Sequence, residues 1–226
     1  MKRVITVLLA ALLVLSLAAC GSRVETKKLA GTWTCTVDVT DRMNAAAEQA
    51  LGLSAADGAA KMPLQLVLTV TEDGAYTLRY DSDAARTALD AYAAALHPAA
   101  VESVYAAAEE QGFSREEYDA AMEKAGITMD DMVAAIFAGV DEEELLSLLT
   151  GRSAAITGYC RAEGGQLYLA DTATDLTETA DCLSYTLSDG TMTWTDAQGE
   201  LSSQLTEQEQ ELLRVPLTWT KQEESK

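Results

Sequence analysis

The chain has one histidine in 226 residues. That residue, His97, stands directly before Pro98 at a helix junction, so a Ser-His-Asp or Cys-His mechanism would have to run through a poorly placed base. Metal-ligand spacings are missing too: there is no CxxC, no cysteine–histidine cluster and no HExxH, and no metal site is expected. A Walker loop and a dinucleotide fingerprint are absent, and no cofactor is expected. Positive charge is scarce. Sixteen Lys and Arg face 36 Asp and Glu, a formal net charge of −20, which repels anionic lipid headgroups and excludes nucleic acid as a partner. Composition alone does not exclude a glycosidase-like carboxylate pair. Most of the acids, however, fall in the first turns of predicted helices, where the helix dipole accounts for them. The run Asp171, Asp175, Glu178 and Asp181 has calcium-like chemistry but lacks the spacing and glycine of an EF-hand loop, and it reads as a solvated acidic segment. No catalytic constellation is recognisable, and the chain is read as non-enzymatic.

What is present begins at the N-terminus. Lys2 and Arg3 precede an uncharged apolar run from Val4 to Leu17, a pattern of export that is too short for a permanent span. The run ends in Leu17-Ala18-Ala19-Cys20-Gly21, which resembles the lipobox of bacterial lipoproteins. That resemblance implies cleavage before Cys20, a diacylglyceryl group on its thiol and a place in the bacterial cell envelope, facing away from the cytoplasm. Residues 1–19 would then be a signal peptide and 20–28 a tether whose Arg23, Lys27 and Lys28 lie beside the bilayer. The membrane becomes the partner through this anchor, and the alternative is an ordinary signal peptide with an incidental cysteine. Removing Lys2 and Arg3 takes the formal charge from −20 to −22. Three further cysteines, Cys35, Cys160 and Cys182, permit at most one disulfide. They read either as buried apolar thiols or, in an exported chain, as a Cys160–Cys182 bridge with Cys35 free.

Short alternating runs separated by turn residues predict an antiparallel sheet buried on one face. Trp33, Cys35, Val37 and Val39 alternate with polar residues, as do Leu64, Leu66, Leu68 and Val70. Asp73-Gly74 then supplies a tight turn before Tyr76, Leu78 and Tyr80. Residues 155–162 and 166–171 flank Glu163-Gly164-Gly165, residues 183–188 and 191–196 flank Asp189-Gly190, and a last strand runs from Val215 to Lys221. Eight strands joined mostly by hairpins make an up-and-down barrel the economical architecture, closed by pairing the last strand with the first. The tripeptide Thr-Trp-Thr recurs at 32–34, 193–195 and 218–220, and its indoles read as core rings.

Between the third and fourth strands the period changes to that of a helix, so 83–151 is read as a helical insertion in a single barrel domain spanning 29–226. The class is α+β. Two helices are predicted over Ala84–Leu96 and Pro98–Gln111, with Pro98 at a first helical position. Three repeated signals come next, each a glycine, an apolar residue, a cap and acids. They begin at Gly112, Gly126 and Gly139, with Ser114, Thr128 and Asp141 as N-caps. Phe113 and Tyr118, Ile127 and Met132, and Val140 and Leu145 have the spacing of hydrophobic staples. Met129, Met132, Val133, Ile136 and Phe137 form an apolar stripe on the middle helix, and Leu145, Leu146, Leu148 and Leu149 load the next. A shorter helix from Asp41 to about Leu51 joins the first two strands, Ser54 with Asp57 would cap another, and a further start signal lies at Thr206.

Gly31-Thr32-Trp33 opening the first strand, the helix after it, and the closing Leu217-Thr218-Trp219-Thr220-Lys221 together resemble bacterial lipocalin-like lipoproteins. The resemblance covers residues 29–81 and 155–221. It implies that Trp33 closes the base of an eight-stranded barrel, with Lys221 placed as its basic partner, and that a small apolar ligand is bound. No Thr-Asp-Tyr motif accompanies it, and the large helical insertion is foreign to the simple lipocalin. Two functions are compatible with these residues: a membrane-tethered module binding a small apolar ligand in the barrel or under the helices, or an interaction lipoprotein with a packed barrel and a helical docking face. Met129, Met132, Ile136 and Phe137 are the candidate ligand or partner face in either case.

Overall fold

The computed structural model describes residues 25–53, 60–138, 145, 155–177, 181–198 and 213–223. Eight strands form a closed barrel in sequence order: β1 Gly31–Asp38, β2 Pro63–Val70, β3 Ala75–Tyr80, β4 Ile156–Glu163, β5 Gln166–Ala170, β6 Asp181–Ser188, β7 Thr191–Gln198 and β8 Leu217–Lys221. β8 closes antiparallel on β1, with Trp33 opposite Lys221 and Thr34 opposite Thr220. The α+β class, the meander order and the helices between β3 and β4 are as the alternation and hairpin signals require. The last strand starts later than predicted, at Leu217, because Pro216 cannot donate to a ladder and remains just outside it.

Period-two alternation puts large side chains inside. All three tryptophans of the Thr-Trp-Thr segments are buried. The Trp194 and Trp219 rings, from adjacent strands, lie 4.8 Å apart between centroids. The β2–β3 hairpin turns at Gly74, whose φ of +89° belongs to the left-handed side. A Cβ there would stand 2.4 Å from the Cys160 carbonyl oxygen, so no other residue fits.

The Cys160–Cys182 bridge is not formed, and both thiols are free. The register explains this. Cys160 pairs with Leu169 on β5, whereas Cys182 pairs with the neighbouring Tyr168. The two cysteines therefore sit two strands apart and on opposite faces, beyond the reach of a disulfide. Cys160 faces the interior, where burial pushes its thiol up to about 12.

Strand direction alternates, so the β2–β3, β4–β5 and β6–β7 turns share one end of the barrel with the start of β1 and the end of β8. A helical turn over residues 25–29 is fastened to that end. The Ala162 N–H donates to Thr26 Oγ1 at 3.0 Å and the Gly164 N–H to a Glu25 carboxylate oxygen at 2.9 Å. Trp33 Nε1 donates to the Leu29 carbonyl at 2.7 Å, and Lys27 pairs with Glu72 at 3.1 Å. Thr26, Leu29 and Trp33 are all buried.

The chain divides into two compact units. The barrel unit takes in the chain up to Cys35, Leu66–Tyr80 and β4 onward; the helical unit takes in Thr36–Gln65 and the segment between β3 and β4. The second contains α1 Thr40–Leu51, α2 Ser82–Glu110, α3 Arg115–Ala125 and α4 Met129–Phe137.

The two helices predicted on either side of Pro98 are in fact one, α2, of 29 residues. Its buried positions Ala85, Ala88, Tyr92, Leu96, Ala100, Val104 and Ala108 keep a helical repeat straight through the proline. Burial of that continuous stripe outweighs the roughly 3 kcal/mol a proline costs inside a helix. Asp81 caps α2 by accepting from the Asp83 and Ala84 N–H groups. Ser114 and Thr128 close the capping boxes expected of them, with Glu117 and Asp131. Phe113 and Ile127 stay exposed, so neither staple position enters a core. Asp141, Val140, the Ser54–Asp57 cap and the Thr206 start signal lie outside the described residues.

Candidate ligand-binding site

Among the described residues, Trp33, Trp219, Leu183 and Met192 are buried in the barrel. A cavity of about 70 Å³ remains, walled by Leu68, Leu78, Leu167, Leu183, Met192 and Trp194 among others. About 150 Å³ is what an apolar cavity needs to hold benzene, so this space takes no more than a few heavy atoms. The bulk of the inward tryptophans and leucines is the reason. Trp194 and Trp219 are buried with no acceptor for Nε1 among the described residues, a cost of roughly 1–3 kcal/mol each for an unmade hydrogen bond.

The helical unit holds the larger space, a groove of about 230 Å³. Its α1 wall is Met43, Ala46, Ala47, Ala50 and Leu51, and its α2 wall includes Leu89, Tyr92, Ala93 and Leu96, with Phe137 and Leu145 also lining it. Alanines at the spacing of one helix face create the room, because no side chain beyond Cβ fills the gap between the two helices. A polar bond ties the walls together: the Tyr92 hydroxyl donates to Asn44 Oδ1 at 2.6 Å. Burial raises the Tyr92 pKa, keeping the hydroxyl a neutral donor. Asp90 is the one charged residue among the groove's lining residues, and it is exposed.

The predicted apolar stripe on α4 is only partly a free face. Val133 is buried with Leu53 and Ala100, and Ile136 and Phe137 pack against that cluster, so these residues close the unit's own core. Met129 and Met132 are half-buried. Of the four face residues named from sequence, Phe137 lines the groove and the other three do not. The sequence places a ligand in the barrel or under the helices but does not name the α1 and α2 residues that line this groove. Its signal was the run of alanines at 46, 47, 50 and 93, legible only once α1 and α2 are known to face each other.

His97 Nε2 lies 3.1 Å from an Asp130 carboxylate oxygen, and both side chains are exposed. No serine or cysteine is bonded to this histidine among the described residues. No group of three or more His, Cys, Asp or Glu that could hold a metal occurs among them either. In the acidic segment, Asp175 accepts from the Thr172 hydroxyl at 2.6 Å, as an ordinary turn does. No described helix is long and apolar enough to cross a membrane. Comparison with protein-family models, with curated proteins and with solved structures gives no match for this chain.

Proposed function

We propose that this chain is a membrane-tethered lipoprotein, anchored through Cys20, that binds a small apolar ligand in the groove between α1 and α2. The observation that carries the site is the difference in interior volume, about 230 Å³ in the helical unit against about 70 Å³ in the barrel. The groove lies between the roughly 150 Å³ that accepts benzene and the roughly 300 Å³ at which drug-sized pockets begin. Its occupant is therefore a short alkyl chain or a single ring with a small head. An acidic rim residue and a net charge of −20 disfavour an anionic head. Binding, with no chemical step, is the activity.

Titration of the chain with decanol, decylamine and decanoate, read by isothermal calorimetry, tests this. The alcohol and amine bind, the carboxylate binds more weakly, and Ala93→Phe, which fills the groove, removes binding while far-UV circular dichroism stays the same. Cys160→Val in the barrel wall leaves binding intact. Binding that survives Ala93→Phe but is lost in Cys160→Val would move the site into the barrel and refute the assignment.

A further inference from the structure

We propose that the lipid anchor acts as a short leash that fixes which end of the barrel faces the membrane: the end carrying the three tight hairpin turns. The inference rests on lipidation of Cys20, as proposed above, but is independent of the groove. Five residue steps separate Cys20 from Glu25, where the hydrogen bonds to the barrel begin. At 3.6 Å per step the chain reaches at most about 18 Å even when fully extended. From Glu25 onward the chain is fastened: Glu25 to the Gly164 N–H, Thr26 to the Ala162 N–H and Lys27 to Glu72. The point of attachment is therefore the β4–β5 and β2–β3 turns, not a site part-way up the wall.

Inverting the barrel would require the leash to run its full height. Eight-residue strands such as β4 span about 26 Å, or about 20 Å along the axis at a tilt near 40°. A leash of about 18 Å falls short even before it leaves the wall. Charge acts in the same direction. Lys27, Lys28, Arg161 and Lys221 stand at or near this end, four of the 11 cations among the described residues. Of the 25 carboxylates among the described residues, six are there: Glu25, Glu72, Asp73, Glu163, Asp189 and Glu223. Elsewhere among the described residues 19 acids face 7 cations, so the turn end is the one an anionic surface repels least. The β5–β6 connection, which leaves from the other end, is held away from the lipid.

The test uses the full lipidated chain in vesicles of phosphatidylethanolamine and phosphatidylglycerol carrying a nitroxide on a fraction of the headgroups. In a Cys182→Ser background, a fluorophore is placed at Glu163→Cys in the β4–β5 turn or at Ala173→Cys in the β5–β6 connection, both exposed positions. Quenching at 163 is expected to exceed that at 173 several-fold, and Lys28→Cys reports the same end should the turn variant fail to fold. Thirty Gly/Ser residues inserted after Gly21 give a leash of about 30 Å root-mean-square, and the difference between the sites then largely disappears. Equal quenching at the two sites, stronger quenching at 173, or a difference that persists with the long linker overturns the proposal. Flotation separates the two readings: a chain that does not float with vesicles removes the lipoprotein assignment itself, whereas one that floats and quenches equally removes only the orientation.

Discussion

Replacing Gly31 by alanine tests how the barrel is closed. Gly31 has φ +126°, which a side chain disfavours, and a Cβ there would lie 2.8 Å from Lys221 Cε. Backbone strain of this kind costs roughly 1–3 kcal/mol. The steric part falls on the flexible end of a lysine, which can move. When it moves, its Nζ leaves the Trp33 ring, 5.2 Å from the centroid, and forfeits about 1 kcal/mol of cation–π attraction. A smaller unfolded-state entropy offsets about 0.5 kcal/mol, so Gly31→Ala destabilises the barrel by about 2–3 kcal/mol. Lys221→Ala alone costs about 1 kcal/mol. In the double variant the cation–π contact is lost only once, so the single costs exceed the double by about 1 kcal/mol. Urea unfolding followed by tryptophan fluorescence measures this directly, because Trp33, Trp194 and Trp219 all belong to the barrel unit. A cost below about 1 kcal/mol for Gly31→Ala, or strictly additive single variants, would refute the argument that the glycine, the lysine and Trp33 form one closure.

Ser114→Ala removes a capping-box acceptor from the Glu117 N–H and costs about 1 kcal/mol, read as faster amide exchange in the first turn of α3 with the barrel transition unchanged. Pro98→Ala restores an N–H to the interior of α2 and raises the thermal midpoint of the helical signal by several degrees, reflecting a gain of about 1–3 kcal/mol. Cys182 reacts with a thiol reagent in the native state, whereas Cys35 and Cys160, both buried, react only on unfolding. The Cys160 thiol has a reference value of 9.0 raised to about 12 in the fold, so above pH 9 the unfolded chain holds fewer protons than the native one. Stability is full below pH 9 and falls as pH rises toward 12, by about 2 kcal/mol at pH 10.5, and Cys160→Ala flattens that slope.

The barrel was legible because its signals are local and redundant. Trp33, Cys35 and the leucines of β2 show period two, and Asp73-Gly74, Gly164-Gly165 and Asp189-Gly190 mark where each hairpin turns. The caps at Ser114 and Thr128 were legible for the same reason, since a capping box spans four residues. What failed depended on distant contacts. Pro98 looks like a helix start because the local rule is strong, and only burial of Leu96 and Ala100 on one stripe shows that tertiary packing overrides it. The Cys160–Cys182 pairing failed on register: one residue of offset on β5 sends the two thiols to opposite faces. The α4 stripe is apolar as its spacing requires, but that it covers Leu53 and Ala100 is not legible locally, because those two residues come from separate segments.

The same distinction explains why the groove between α1 and α2 is larger than the barrel cavity. A closed eight-stranded barrel has a fixed diameter, and whether it is hollow depends on the size of its inward residues. Trp33, Trp219, Met192 and Leu183 are buried there, the cavity among the described residues is about 70 Å³, and enlarging it would mean removing side chains packed between the strands. A helix pair carries no such constraint: its separation is set by a few contact positions, Met43, Tyr92 and Leu96 are buried here, and alanines on the facing surfaces leave a groove without unpairing any backbone group. Volume suited to a ligand is therefore cheaper to make between α1 and α2 than inside the strands. Substitution at Ala47, Ala50 or Ala93 therefore changes the shape of the groove without touching a residue of the strands.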